Sequence, residues 1–381
     1  MTGSISFARF MALALYCPVY GFYERERDTI GRCGDYYTSV SVGSLFGELL
    51  ACQFSEWLSA CGTGNGERGT NGNAVPLQIV EAGAHDGQLA KDLLRWLKEH
   101  RPELFHQLEY WIVEPSRHQQ KQQQQSLAGF ASNVRWASQW ADVVVSPCSA
   151  LRASRSAGVR GVVFCNELLD AMPVHRLGWD AKRRFWFEWR VGASGDDFIW
   201  MKMPGAIGTT APAIQSRFQL PVCPFELPAE LLDVLPDGFI VEISPAALNW
   251  WQHAGEALER GKLLAIDYGL SAGQFFAAER CGGTLRAYHR HHVCADLLAN
   301  AGEQDITAHV NFTAIRAAGE SAGLKTEAFL TQAQLLTGIT ARTWEDEGVF
   351  GKWTAERIRQ FQTLTHPEHL GRAFRALVQS R

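Results

Sequence analysis

The sequence predicts an α/β fold, an open and largely parallel sheet with helices on its faces. Three observations carry this. Residues 77–97 read as an apolar strand, a turn holding Gly83 and Gly87, and a helix whose apolar positions Leu89, Leu93, Trp96 and Leu97 recur at helical spacing. Apolar runs that end in a carboxylate recur at Glu81, Glu114 and Asp267, with helical patterns between them. Aromatic stretches at Phe185–Val191 and Phe198–Met203, either side of a glycine-bearing turn, read as a hairpin inserted into that alternation.

In chain order, Phe7, Phe10, Met11, Ala14 and Leu15 fall on one face of a first helix that Ser4 or Ser6 can cap. A retained amphipathic helix is therefore preferred to a short signal peptide. A glycine-bearing polar loop, Gly31–Ser39, leads to a helix from about Ser44 that buries Phe46, Leu50, Phe54, Trp57 and Leu58. Residues 60–76 are rich in glycine but follow a helix, so they read as a linker rather than a phosphate loop. The expected organisation is a helical cap over 1–75 and an α/β domain over 76–381, with a β-rich insertion at about 175–238.

The second strand ends at Glu114, and the glutamine-rich segment after Ser116 reads as a solvated helix face. A third strand, Gly161–Cys165, runs into Asn166, Glu167 and Asp170. Residues 204–236 form a long proline-bearing connection. Phe239–Glu242 is a strand, a helix with Ala247, Trp251, Ala254 and Leu258 on one face is stopped by Gly261, and Lys262–Gly269 is a strand. A helix near Ala314–Ala322 and a closing strand at Leu324–Leu330 complete the pattern.

The whole chain has 381 residues and a net charge of −4, so no basic field draws it to nucleic acid or to an anionic membrane. No apolar run has membrane-spanning length. Its nine cysteines form no C-x-x-C pair, which favours reduced thiols and a cytoplasmic location over a disulfide or zinc framework. His289, His291, His292 and His309 lack ligand spacing, and no metal is expected.

The turn after Glu81 differs from a dinucleotide fingerprint, which needs G-x-G-x-x-G to seat a pyrophosphate. Here the glycines are four apart, and Glu81 and Asp86 would repel a phosphate. A cationic ligand suits such a turn, and S-adenosylmethionine, with its ammonium and sulfonium, is one. Glu114 occupies the place of an acid that bonds ribose hydroxyls. Two carboxylates and an amide beyond the third strand could hold a cationic acceptor.

Several short motifs in fixed order carry a resemblance that spans nearly the whole chain. They are Gly34-Asp35-Tyr36-Tyr37-Thr38-Ser39, Glu81-Ala82-Gly83 with Gly87, Asn166-Glu167 with Asp170, Ala171 and Pro173, Ile266-Asp267-Tyr268-Gly269, Gly283–Tyr288, Asp305–Phe312 and Thr365-His366-Pro367-Glu368. Together they resemble the MidA-like family of class I S-adenosylmethionine-dependent methyltransferases, whose mitochondrial members assist respiratory complex I assembly by symmetrically dimethylating an arginine of one subunit. The resemblance implies a Rossmann-like sheet, S-adenosylmethionine as cofactor, a protein substrate, and arginine methylation. It leaves room for a homodimer, and for a non-catalytic assembly chaperone that keeps the cofactor site.

The cofactor residues expected are Gly34, Thr38, Glu81, Gly83, Ala84, Gly87, Glu114 and Asn166, and the catalytic pair is Glu167 and Asp170. Two departures stand out. His85 takes the place where the family usually has a further glycine, and Val40-Ser41 stands where it has Pro-Glu.

Overall fold

The computed structural model describes residues 3–25, 38–62, 76–144, 158–208, 229–289, 292–344 and 347–381. Ser6 caps the first helix, α1 (Phe7–Tyr16), by accepting the Arg9 N–H at 3.2 Å, and the helix buries the five residues its spacing singles out. The second, α2 (Leu45–Gly62), buries Phe46, Leu50, Phe54 and Leu58 against the main core. The two helices go to different places. α1 packs with Val174, Val191, Leu285 and Ile306, and α2 packs on the central sheet.

That sheet is built from β1 (Leu77–Ala82), β2 (Leu108–Val113), β3 (Val134–Ala137), β4 (Val159–Asn166), β5 (Leu258–Leu270), β6 (Lys325–Thr331) and β7 (Phe374–Ser380). Their spatial order is β6-β7-β5-β4-β1-β2-β3, with Val310–Asn311 pairing beside β5. Strands β1 to β5 are mutually parallel, and β7 runs antiparallel to both its neighbours. From β1 the chain moves outward to β2 and β3, then crosses back to β4 on the other side. The carboxyl ends of β1 and β4 therefore flank the switch point where open α/β sheets bind ligands. The helix after β1, α3 (Gln88–His100), buries Leu89, Leu93, Trp96 and Leu97, the expected face.

A second, antiparallel sheet joins Ile5–Ser6, Phe185–Ser194, His175–Asp180 and Ile240–Ile243, with Asp197–Gly208 pairing on Phe185–Ser194. The expected hairpin forms, and Gly195 turns it at a φ of 63°. A third, small sheet holds Arg286–His289, His292–Cys294 and Asp305–Thr307.

Three local expectations give way to the fold. Gly261 does not stop a helix. The helix Pro245–Ala257 ends earlier, and Gly261 lies inside β5 at a φ of 140°, paired with Gly161 of β4. A Cβ on Gly261 would collide with the Gly161 carbonyl, and one on Gly161 with the Gln78 carbonyl of β1. Glycine thus serves close strand approach across β1, β4 and β5. Leu324–Leu330 forms a strand as expected but is not the last in the chain. Its strand, β6, is the edge, and β7 inserts between it and β5, with Gln379 buried where its side chain bonds Trp251 and the Arg316 carbonyl. The glutamine helix, Arg117–Ser126, is capped by Ser116 as expected, yet Gln119 and Gln123 are buried rather than solvated.

Gly161→Ala is expected to lower the unfolding free energy by about 3 kcal/mol, from a strained positive φ and a backbone collision in mid-sheet. Urea denaturation followed by circular dichroism measures it, and an unchanged midpoint would contradict this role.

Candidate active site

The carboxyl ends of β1, β2 and β4 open into a cleft of about 1310 Å³. Glu81, the last acid of β1, is buried and accepts the Tyr110 hydroxyl of β2 at 2.6 Å. Burial pushes it up to about 8, with Asp86 adding to the shift and the Tyr110 bond opposing it. The chain then turns through Gly83 and His85, whose φ values are 71° and 47°, to Gly87, at 81° the left-handed cap of α3. A Cβ on Gly83 would come within 2.8 Å of the end of the Leu168 side chain, so Leu168 would have to shift to admit one. Asp86 Oδ1 accepts the Gln88 N–H at 2.9 Å, and the His85 imidazole lies 3.8 Å from the same oxygen.

Glu114 follows β2. Its carboxylate accepts the Ser116 N–H at 2.9 Å and Gln123 Nε2 at 3.2 Å, while burial pushes it upward. Gln123 is a hub, because Nε2 also reaches the His85 carbonyl at 2.9 Å and Oε1 accepts the Trp136 indole N–H at 3.1 Å. Gln119 Nε2 donates to the Tyr23 carbonyl at 2.8 Å, and Ser116 Oγ donates to Glu24 at 2.7 Å. These contacts tie the N-terminal segment across the end of β2. The 119/123 spacing, one helical turn, was the signal available in the sequence.

Beyond β4 the loop is held by one buried carboxylate. Asp267 of β5 accepts through Oδ2 from the N–H groups of Leu168 at 3.1 Å, Leu169 at 2.8 Å and Asp170 at 3.4 Å, and through Oδ1 from Tyr268 at 2.8 Å. Within that loop Glu167 adopts a φ of 51°. Its Oε1 accepts Asn166 Nδ2 at 3.1 Å and the Ser39 N–H at 3.3 Å. Burial pushes Glu167 up to about 8, and Asp267 adds to this. Asp170 and Asp267 both stand above the usual carboxylate range, burial being the main cause for each.

Most of the expected residues meet here. Thr38, Glu81, Gly83, Ala84, Glu114, Asn166 and Glu167 line the cleft. Gly87 does not; it sets the turn, with Leu127 packed behind it. Asp170 is buried behind the wall rather than on it. Gly34 lies outside the described residues. Tyr16, Tyr23, Ser39, Gln119, Gln123 and Asp267 complete or support the site and were not foreseen as site residues. Of these, Tyr16 and Tyr23 stack at 5.5 Å.

A family model described as "Putative S-adenosyl-L-methionine-dependent methyltransferase" matches residues 49–330. The chain belongs to this family. A protein arginine methyltransferase NDUFAF7 homolog, mitochondrial, from Drosophila melanogaster is 29% identical over 335 residues, covering 84% of this chain and 68% of the relative. The mitochondrial protein arginine methyltransferase NDUFAF7 of Danio rerio is 26% identical over 399 residues, covering 98% and 82%. A Burkholderia thailandensis protein crystallised bound to S-adenosyl-homocysteine is 28% identical, with a TM-score of 0.77 over all of this chain and 88% of that one.

The fold is thus that of the class I methyltransferases, and the cofactor of this methyltransferase is S-adenosylmethionine. The cleft fits it. Asn166 Oδ1 is buried without a partner among the described residues, and Gly83, which has no side chain, lines the cleft. Carboxylates outnumber cationic groups on the wall, as an ammonium and a sulfonium require. Among the described residues no helix is long and apolar enough to cross a membrane. The cytoplasmic expectation is overturned, because the fly and zebrafish relatives are named mitochondrial. Free thiols separate reducing from oxidising compartments and do not tell one reducing compartment from another.

The buried acids make stability depend on pH. Glu81 and Glu167 bind protons up to about 8 when folded but only to about 4.5 when unfolded, so the folded state holds more protons between these values. Stability is then highest below about 4.5 on this account and falls as pH rises toward 8. The ligand-free protein is expected to melt at a lower temperature at pH 8 than at pH 6, and Glu81→Gln to flatten the difference. Scanning calorimetry checks this, and a melting temperature that rises over that window would contradict it.

Proposed function

We propose that this methyltransferase acts on the guanidinium of an arginine in a protein acceptor and takes it to symmetric dimethylarginine. The observation that carries the reading is Glu167, a carboxyl on the cleft wall beside Asn166 that burial keeps protonated to about 8 until a cation arrives. The relatives named protein arginine methyltransferases support the acceptor class. The product type rests on the family resemblance.

In this reading Glu81, Gly83, Ala84 and Gly87 shape the place of the methionine moiety, and Thr38 lines the same cleft. Glu114 takes the ribose hydroxyls, and Asn166 a polar edge of the cofactor. Bound S-adenosylmethionine supplies an electrophilic methyl group on a sulfonium. Transfer would exchange the donor's methyl–sulfur bond for a methyl–nitrogen bond on the acceptor, and the proton that the guanidinium gives up would pass to the Glu167 carboxylate and on to solvent. Glu167 accepts N–H bonds from the guanidinium and turns one nitrogen toward the methyl. Asp170, buried behind the wall, does not reach the acceptor and serves the loop that presents Glu167 through its backbone bonds to Asp267 and Ala308.

Labelled donor mixed with a lysate of cells lacking the gene should label a protein whose hydrolysate contains symmetric dimethylarginine. Label on lysine or on a carboxylate would sink the acceptor class. Glu167→Gln should reduce transfer by about a hundredfold or more and leave S-adenosylhomocysteine binding within about twofold; normal methylation by that variant would remove the role. Gly83→Val should abolish cofactor binding in titration calorimetry, and undiminished binding would contradict the loop assignment.

A further inference from the structure

Glu167 is held from outside its own loop by a polar chain that reaches the far end of the sequence. The Ser39 N–H donates to Glu167 Oε1 at 3.3 Å, Ser39 Oγ donates to Gln332 Oε1 at 2.9 Å, and Gln332 Nε2 donates to the Leu364 carbonyl at 3.0 Å. Ser39 and Gln332 are both fully buried. Leu364 lies in the last turn of the helix Ala355–Thr365, and Gln332 opens the helix Gln332–Thr343. Buried polar groups that bond only one another are costly to maintain unless their geometry is complete. This chain is complete, and it ends on a carboxylate at the cleft wall.

We propose that Ser39 and Gln332 are positioning residues that fix Glu167 so that Oε1 is occupied within the protein and Oε2 is presented to the acceptor. The inference rests on the reading of Glu167 as the acceptor-binding carboxylate. Oε1 already takes two donors, from Asn166 and Ser39. Oε2 is then the oxygen that carries the proton in the free protein and exchanges it for a guanidinium N–H, the proton leaving to solvent.

The groups that act most strongly on Glu167 among the described residues come from several elements. Asp267 on β5 and Asp305 on the small sheet raise it, whereas Asn166 and the Ser39 N–H favour its charged form. Tyr268 and Asp170 also lie within its field. Loosening Ser39 removes a donor that favours the carboxylate, so ionisation of Glu167 moves to higher pH.

The test compares the wild-type protein with Ser39→Ala, which keeps the backbone N–H but frees it from Gln332, and with Gln332→Met, which keeps volume and removes both bonds. The probes are S-adenosylhomocysteine for cofactor binding and label transfer to lysate protein, at limiting acceptor, across pH 6 to 9.5. Both variants should bind S-adenosylhomocysteine within about twofold of wild type, lose about tenfold of transfer efficiency at pH 7, and move the rising limb of the profile alkaline by about half a unit or more. A purely structural role would lower the yield of folded protein and leave the limb in place. If either folded variant keeps the wild-type limb while Glu167→Gln abolishes transfer, the positioning inference fails and the acceptor reading stands. If Glu167→Gln itself transfers methyl groups normally, the acceptor reading fails first and takes this inference with it.

Discussion

The loop after β4 depends on the Asp267 carboxylate. Four backbone N–H groups point at two oxygens that are out of solvent. Without that acceptor three consecutive amides of the loop would be buried and unpaired, at about 1–3 kcal/mol each. With it, the loop cannot relax, and Glu167 stays in a left-handed conformation that costs about 1–3 kcal/mol for a residue with a side chain. The carboxylate comes from the strand next to β4, so sheet register and loop geometry are set together. The Glu167 N–H bonds the Ile266 carbonyl at 2.9 Å, one residue before Asp267, which locks the same junction from the other side.

The same arrangement explains why so many acids can share one region. Burial is the main cause, and charge adds to it: Asp267 raises the proton affinity of Glu167 and Asp170, Glu167 raises that of Asp170, and Asp86 raises that of Glu81. In the ligand-free state protons partly neutralise the cluster. A cationic ligand replaces them, so binding of cofactor or acceptor is coupled to proton release. Electrostatic selectivity follows directly: a cation meets groups that gain by ionising, whereas an anion only holds their protons in place.

The sequence displays what local chemistry dictates. Ser6 and Ser116 cap helices because their hydroxyls reach the N–H three residues on, and the buried faces of α1 and α3 follow helical spacing. Acids at strand ends mark Glu81, Glu114 and Asp267 without any fold. Long-range pairing is where local reading stops. Nothing near Gly261 announces that it faces Gly161 across a strand pair, and nothing in Phe374–Ser380 announces that it threads between β5 and β6. Gln119 and Gln123 look solvated in a run of glutamines until Glu114, Tyr23 and His85 arrive from other segments to receive them. Asp170 is distinguished from Glu167 only by the loop's path, which turns one side chain to the wall and the other behind it.

His85 shows how tertiary contacts carry a locally unfavourable choice. A φ of 47° suits glycine, and a side chain there is a cost that something must offset. The Gln123 amide bonds the His85 carbonyl and also Glu114, so the peptide of the strained turn and the acid at the next strand end are fixed by one side chain. The imidazole then stands on the cleft wall beside Asp86, adding a polar ring where a glycine would leave space. The turn's shape therefore does not depend on glycine at position 85, because Gln123 supplies from outside the restraint that backbone freedom would otherwise make unnecessary. The cofactor turn and the glutamine helix form one unit, and a change at Gln123 acts on both strand ends at once.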